Sequence, residues 1–433
     1  MARNGGQVKK NILVVGPALS RSGYGEQTRF ALRALKSRSD IINTFVIPTT
    51  WGSTGWIVDN CEEREWIDER IKETQLRNAD SLGYDASIQV DIPWAPPPPN
   101  AAPNTETGWR RLTDHDIGYT AGIETNKISP QWVQKSNVVK KIIVVSEHSK
   151  NVFNDTNYTV VDKSTGRQHQ LKNTVPIDVV GFPVRNITPE NITLELKHDF
   201  NFLCVAQWST RKNLENTIRW FVEKFHDDPV GLVLKTNIMK NCLMDRTRSY
   251  KKIQDITSAY PNRKCSVHMV HGNMSDAEMQ GLYAHPKIKA YVSFTHGEGF
   301  GIPIFDAVCN GIPVVTVPWS GQLDYLTMKE GKKSSVVAGR VDFSMSQIQK
   351  EAVWDGILQE DSMWSFASEA SAKARMKDVY TRYNKFHGRA LKLKDHVLEH
   401  FSEDVMYNKF INSLDIDFTG NSAVETEQEV ILL

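Results

Sequence analysis

The chemistry-bearing residues of this chain are densest in His296–Gly311, HGEGFGIPIFDAVCNG. Gly297, Gly299 and Gly301 describe a loop whose backbone can approach a ligand closely, Pro303 suits the first turn of a helix, and Asn310-Gly311 supplies its stop. The run follows a β-type segment, Ala290–Phe294, so a helix is expected to begin at the carboxyl end of a parallel strand. Open α/β sheets bind ligands there, and the free amides of the first turn favour an anion such as a diphosphate. Glu298 sits inside the loop with no evident cationic neighbour in sequence, and seven residues separate it from Asp306 in the first turns of the helix. Either carboxylate can hydrogen-bond hydroxyl groups. An acid near a helix N-terminus is stabilising without a ligand, so Glu298 is the sharper candidate.

A second anion signal lies at Ser209–Asn213, STRKN, after the β-type run Phe202–Ala206. Leu214, Ile218, Phe221, Val222 and Phe225 form one apolar stripe of a following helix, with Ser209 or Thr210 as the expected cap. Arg211 and Lys212 would then stand at the positive end of that helix, which disfavours cations unless something negative is bound there. A phosphate resolves the conflict.

These loops need a frame, and the apolar runs supply it. Asn11–Gly16, Thr44–Ile47, Ala86–Val90 and Ile142–Val145 read as buried strands separated by segments long enough for crossover helices. Around Arg185–Asp199 the periodicity lapses. It restarts with Phe202–Ala206, Gly231–Lys235, Ser266–Val270, Ala290–Phe294 and Ile312–Val317. The expected architecture is α/β: two Rossmann-like, doubly wound parallel-sheet domains facing a central cleft, spanning 1–190 and 198–385. The last hundred or so residues read as helical, those over 386–418 are expected to return to the first domain, and 419–433 is expected to be a flexible tail. Ile92–Asn100, with four successive prolines, reads as a rigid connecting loop.

Composition bounds the function. A length of 433 residues suits two or three domains at roughly 150 residues each. The 52 basic and 51 acidic side chains nearly cancel, so the chain carries no strong nucleic-acid signature; the run Lys240, Arg246, Arg248, Lys251 and Lys252 reads as a solvated helix face. Five scattered cysteines with no C-x-x-C pair indicate neither a disulfide framework nor a zinc site. No signal-peptide or spanning segment is evident, so a cytoplasmic location is expected, with membrane contact at most peripheral.

An R-K-N beside a helix start, GEGFG-I-P with its spaced acids, and a G-I-P-V-V strand together resemble the group 1 glycosyltransferases, glycosyltransferase family 4. VVGPALSRSGYGEQTR resembles their N-terminal glycine loop, IGYTAGIETNKISPQW and IIVVSEHSKNVF resemble parts of their acceptor domain, and WSGQLDYL resembles the segment after the G-I-P-V-V strand. The resemblance implies a retaining enzyme of the two-domain GT-B fold that moves a sugar from a UDP- or GDP-sugar to an acceptor, with neither cofactor nor metal. It implies that Glu298 holds hydroxyls of the donor sugar, that amides near Gly299, Phe300 and Gly301 face sugar and phosphates, and that Lys212 neutralises the diphosphate. Gly16, Gly23 and Gly25 would approach the donor from the first domain. Two positions depart from the pattern. The second acid, which contacts the ribose in the family, is Asp306 instead of glutamate, and Gln207 stands where many members place an arginine, leaving Arg211 as the available substitute.

Departure of a nucleoside diphosphate develops negative charge that preorganised donors must stabilise. Asp91, Glu124 and Asn126, at or just beyond expected strand ends, are the acceptor-side candidates for a glycan, lipid, protein or nucleobase. Three readings compete. A metal-dependent transferase would use the acid pairs of Asp114-His115-Asp116 or Asp415-Ile416-Asp417. A nicotinamide dehydrogenase would use Gly23 and Gly25, but Thr28 holds the third glycine place and no acid ends Thr44–Ile47. A silent sugar-nucleotide-binding protein would keep the fold without turnover.

Overall fold

A computed structural model describes residues 9–418 except 53, 59–60, 98–101, 103–105, 163 and 332. The first eight residues, the 419–433 tail and part of the proline run therefore lie outside the described residues.

The first lobe alternates strand and helix: β1 (Lys10–Gly16), α1 (Gly23–Lys36), β2 (Ile42–Pro48), α2 (Glu62–Ala79), β3 (Ala86–Val90), β4 (Asp116–Thr120), α3 (Pro130–Ser136), β5 (Lys141–Val144) and α4 (Glu147–Asp155). A hairpin, β6 (Asn157–Val161) and β7 (Gln168–Lys172), precedes the edge strand β8 (Ile177–Val179). The sheet runs β2-β1-β3-β4-β5-β8, all parallel. Its central strands are buried end to end, which is why their sequences are apolar without alternation.

The second lobe comprises β9 (Asn201–Val205), α5 (Leu214–Lys224), β10 (Gly231–Lys235), α6 (Leu243–Thr257), β11 (Ser266–Val270), α7 (Asp276–Ala284), β12 (Ile288–Ser293), α8 (Ile302–Cys309), β13 (Val314–Thr316) and α9 (Leu323–Leu326). Short strands follow: β14 (Thr327–Glu330), β15 (Lys333–Val336), β16 (Gly339–Arg340), β17 (Phe343–Gln347) and β18 (Met363–Ala367). Three helices end the described chain: α10 (Glu369–Thr381), α11 (Tyr383–His400) and α12 (Glu403–Asn412). The second parallel sheet runs β11-β10-β9-β12-β13-β16. The fold class expected from the sequence is present in both lobes.

Several local expectations are corrected. The stretch read as helical holds β14–β18 over 327–367, because strands such as KSSV and FSMSQ pair as exposed two-stranded ribbons that leave no buried-strand signature. β4 was not legible for a different reason: DIGYT mixes an acid, a glycine and a tyrosine, yet every one of its residues is buried. Asp116 opens that strand and accepts from the amides of Leu112 (2.9 Å) and Thr113 (3.0 Å) and from Ser87 Oγ (2.6 Å). Asp415 of the other acid pair holds Lys141 at 2.5 Å.

The lobes are joined twice. Chain 180–200 crosses without regular structure, and the chain crosses back between α11, which packs on α8 and α10, and α12, which packs on α1. Phe410 of α12 meets Phe30 at 5.4 Å and Tyr119 at 5.3 Å between ring centroids. The two crossings touch, since Val184 N donates to Phe401 O at 2.7 Å. Apolar packing is also continuous between lobes, with Phe182 placed 6.2 Å from Phe30 and 5.1 Å from Phe300.

Candidate active site

In the second sheet the strand order reverses between β9 and β12, and in the first between β1 and β3. At such switch points the loops leaving neighbouring strands diverge to opposite faces and open a crevice at the carboxyl ends. Arg211 and Lys212 follow β9, Glu298 follows β12, the Gly16 loop follows β1, and Asp91 follows β3. These five candidates thus follow the strands that flank the two crevices, whereas Glu124 and Asn126 follow β4.

Glu298 is buried, at 6% exposure. Its Oε1 accepts from Lys212 Nζ at 2.6 Å and its Oε2 from Arg211 Nη1 at 3.0 Å. No cationic neighbour of Glu298 is evident in the sequence, yet two cations meet it in the fold, and this carboxylate answers the mismatch of two cations at a helix start. The cause is long-range: the partners are 86 and 87 residues apart and meet only when β9 and β12 pair. Burial alone would raise the Glu298 pKa, but the charges of Lys212 and Arg211 outweigh it and hold the carboxyl down at about 2. Burial and Arg211 lower the Lys212 pKa, with Glu298 opposing. Arg211 is raised, since Glu124 and Glu298 outweigh its burial.

The loop around Glu298 is braced. Its amide donates to Ser320 Oγ at 2.9 Å, and Tyr325 Oη donates to the carbonyls of Phe300 (3.1 Å) and Gly301 (3.0 Å). Gly301 caps α8 at φ +88°, a left-handed conformation that glycine tolerates. His296 is structural: its ring stacks on Trp364 at 5.0 Å and its Nδ1 donates to Ser365 O at 2.6 Å. Phe300 is buried at 3% exposure, so what it offers a ligand is backbone. Ser320 and Tyr325 escaped sequence reasoning, although both lie in the WSGQLDYL segment that carried part of the resemblance.

The cap expected at Ser209 or Thr210 is also corrected. Those residues form a turn, with Lys212 N bonded to Ser209 O and Asn213 N to Thr210 O, both at 3.1 Å. The N-cap is Asn213, at φ +52°, whose Nδ2 donates to Phe294 O at 3.1 Å. That bond ties the cationic turn to the strand bearing the Glu298 loop.

The first lobe closes over this centre. Arg211 Nη2 reaches Glu124 at 3.1 Å, and a Cβ on Gly297 or Gly299 would fall on the carbonyl oxygens of Glu124 and Ala121 respectively. Asp91, whose carboxylate accepts from Ile92 N at 2.7 Å, is pushed up to about 6 by burial, and both Asp91 and Glu124 act electrostatically on buried Tyr24 of α1. Asp306 is pushed up to about 7, first by burial and then by the Glu26 carboxylate of α1, with Arg185 opposing. Arg185 itself bridges Asp276 at 2.6 Å and Glu26 at 3.7 Å. Sequence reading missed Glu26 and Arg185; Glu26 lies within the glycine-loop stretch Val14–Arg29 but was not singled out there, and Arg185 lies in no quoted motif.

The remaining candidates have other partners. Gln207 donates to Ile238 O at 2.9 Å and makes no bond to Glu298, Lys212 or Arg211. Asn126 is exposed and accepts from Met363 N at 2.7 Å, pinning the lobes together. Gly25 is required by packing, since a Cβ would strike Ser20 O, and Gly16 lies against Thr28 and Val90, while Gly23 opens α1 with free space around it. Ser22 caps α1 by accepting from Gly25 N at 3.0 Å. Thr28, which fills the third place of the dehydrogenase pattern, donates to Tyr24 O at 2.8 Å. All five cysteines are free thiols, and among the described residues no helix is long and apolar enough to cross a membrane.

No protein-family model matches the sequence, and no curated protein sequence does. Solved structures do match. Sucrose-phosphate synthase from Thermosynechococcus elongatus superposes with a TM-score of 0.58 at 11% identity, over 93% of this chain and 98% of that one. A glycosyltransferase from Rickettsia africae gives 0.55 at 12% identity over 96% and 100%, and Anabaena Alr3699/HepE in complex with UDP-glucose gives 0.52 at 12% over 94% and 99%. At such identities the likeness speaks for architecture, and together with the two six-stranded parallel sheets it shows that this chain has the GT-B fold.

Proposed function

We propose that this chain is a retaining glycosyltransferase of family 4 type that moves a sugar from a nucleoside-diphosphate sugar, UDP- or GDP-linked, to an acceptor, without a metal. The carrying observation is the placement of Lys212 and Arg211 against Glu298 at a topological switch point. A donor entering the crevice exchanges one anion for another: its diphosphate takes the cations, and Glu298, released from them, turns its oxygens to the sugar hydroxyls. Lys212 and Arg211 then stabilise the leaving diphosphate in a water-poor site, where fixed charges act most strongly. The α8 amides behind Gly301 add a second positive end. Asp306 faces the ribose, with Gly16, Gly23 and Gly25 lining the approach from the first lobe. Glu124 and Asp91 stand on the acceptor side, and Asp91, whose carboxyl burial holds above the usual range, suits exchange of a proton with an acceptor hydroxyl. Anabaena HepE in complex with UDP-glucose is one supporting precedent on this architecture.

The test is a thermal-shift screen with UDP-, GDP- and ADP-sugars, followed by transfer from a radiolabelled donor and determination of the product anomer by NMR. A ligand at 100 times its dissociation constant adds about 2.7 kcal/mol. Stabilisation by a sugar nucleotide with release of nothing would identify a silent binding protein, and an inverted anomer would overturn the retaining mechanism.

A further inference from the structure

A separate charged cavity of ≈ 500 Å³ lies at the outer edge of the second sheet, where β16, α10 and α11 meet. Its walls carry five cations, Arg340, Arg375, Arg382, Lys385 and Arg389, against one acid, Asp342, with Phe386 as an aromatic wall. None of these residues belongs to the Glu298 crevice. Arg340 ends β16, Arg375 is on α10, Arg382 is the residue joining α10 to α11, and Lys385 and Arg389 follow it on α11, three and seven positions on.

Nearby acids neutralise little of this charge. Asp378 pairs with both Arg375 and Arg382 at 2.8 Å, whereas Arg340, Lys385 and Arg389 make no ion pair among the described residues. Arg382 lies over the Phe386 ring at 5.9 Å. Like charges at i, i+3 and i+4 repel along a helix, and the first turn of α11 has no acidic residue and no side-chain cap, so cations gather at its positive end. Guanidinium groups converging on a concavity suit phosphate oxygens, which they bind in pairs.

We infer that this pocket binds a small, multiply phosphorylated ligand at a second site remote from the Glu298 crevice. The cavity falls in the size range of small-ligand sites, roughly 300–1,000 Å³. The formal charge of the whole chain is only +1, so no broad field surrounds the pocket to hold a long polyanion. The inference does not depend on glycosyl transfer.

The probe is inorganic tripolyphosphate, titrated calorimetrically into the full-length wild-type chain, into Lys385→Glu/Arg389→Glu, and into Arg340→Ala. Loss of charge-assisted bonds is expected to weaken binding ~10-fold or more in the double variant and several-fold in Arg340→Ala. UDP binding and the thermal midpoint are expected to be unchanged in both. A parallel titration with ATP identifies the source of the phosphates: tighter binding than tripolyphosphate indicates a nucleotide stacked on Phe386, and equal binding indicates a bare polyphosphate. Equal affinity of wild type and double variant for tripolyphosphate, no binding by wild type at millimolar concentration, or an oligonucleotide duplex that outcompetes both small probes would overturn the proposal.

Discussion

Lys212 Nζ and Glu298 Oε1 lie 2.6 Å apart, although the two residues leave different strands and are 86 positions apart in sequence. With Arg211 Nη1 at 3.0 Å from Oε2 and Arg211 Nη2 at 3.1 Å from Glu124, the contact forms a chain of alternating charges from the second lobe into the first. A centre of this kind is neutral overall, yet it presents cations to any anion that competes with the carboxylates.

Removing one donor aimed at developing charge typically costs ~10²–10³ in turnover, or roughly 2.7–4 kcal/mol. Lys212→Ala is expected to lose turnover by that amount while folding normally. Steady-state kinetics with circular dichroism checks this, and near-normal turnover would remove Lys212 from the mechanism.

Glu298→Gln leaves two half-buried cations facing each other without their shared, buried counter-ion. Breaking a buried pair from one side typically costs about 3–5 kcal/mol, so a lowered thermal midpoint at neutral pH is expected. The pH dependence has a definite sign. The folded-state pKa, about 2, is below the ordinary carboxylate value of 4.5, so the wild type holds this stability above that value and loses it as pH falls from about 4.5 to about 2. Wild type and variant should therefore converge in acid, as read by urea midpoints across that window; a constant difference would show that Glu298 does not titrate this way.

Asp306 behaves oppositely. Its pKa is raised from 3.8 to about 7, so the folded protein binds the proton more tightly and stability is lost as pH rises between these values. Asp306→Asn is expected to gain on the wild type progressively from pH 4 to pH 8 in the absence of ligand. The same variant is expected to bind UDP more weakly if the ribose hydroxyls use the ionised carboxylate. Thermal scans and UDP titrations at the two pH extremes separate the effects.

Gly299→Ala places a Cβ on Ala121 O of the opposite lobe. Overpacking of this kind costs about 1–3 kcal/mol where it cannot relax, and here it is relieved by parting the lobes. The expected outcome is an increased radius of gyration by small-angle scattering with little change in thermal midpoint, and a raised KM for the sugar nucleotide. An unchanged radius would mean that the contact yields locally.

What the sequence made legible follows from the range of the interaction. Buried parallel strands such as Ala86–Val90 and Gly231–Lys235 are local apolar runs, and their bounds coincide with the structure. Gly301 and Asn310-Gly311 obey local backbone rules and mark the ends of α8. The Lys212–Glu298 pair does not, because its existence depends on which strands become neighbours. Asn213 as the cap of α5 was hidden for a related reason, since its side chain is committed to the Phe294 carbonyl just past β12. β4 and the exposed ribbons lack the patterning by which strands are recognised.

The paired crossings at Val184 and Phe401 have a mechanical meaning. The two segments run side by side, so any displacement of one half of the molecule against the other would strain the Val184–Phe401 bond and the aromatic bed of Phe410 together. The ion pairs Lys127–Asp361 and Arg211–Glu124 add charged ties between the same two halves, so charged, hydrogen-bonded and aromatic contacts together hold them in one register.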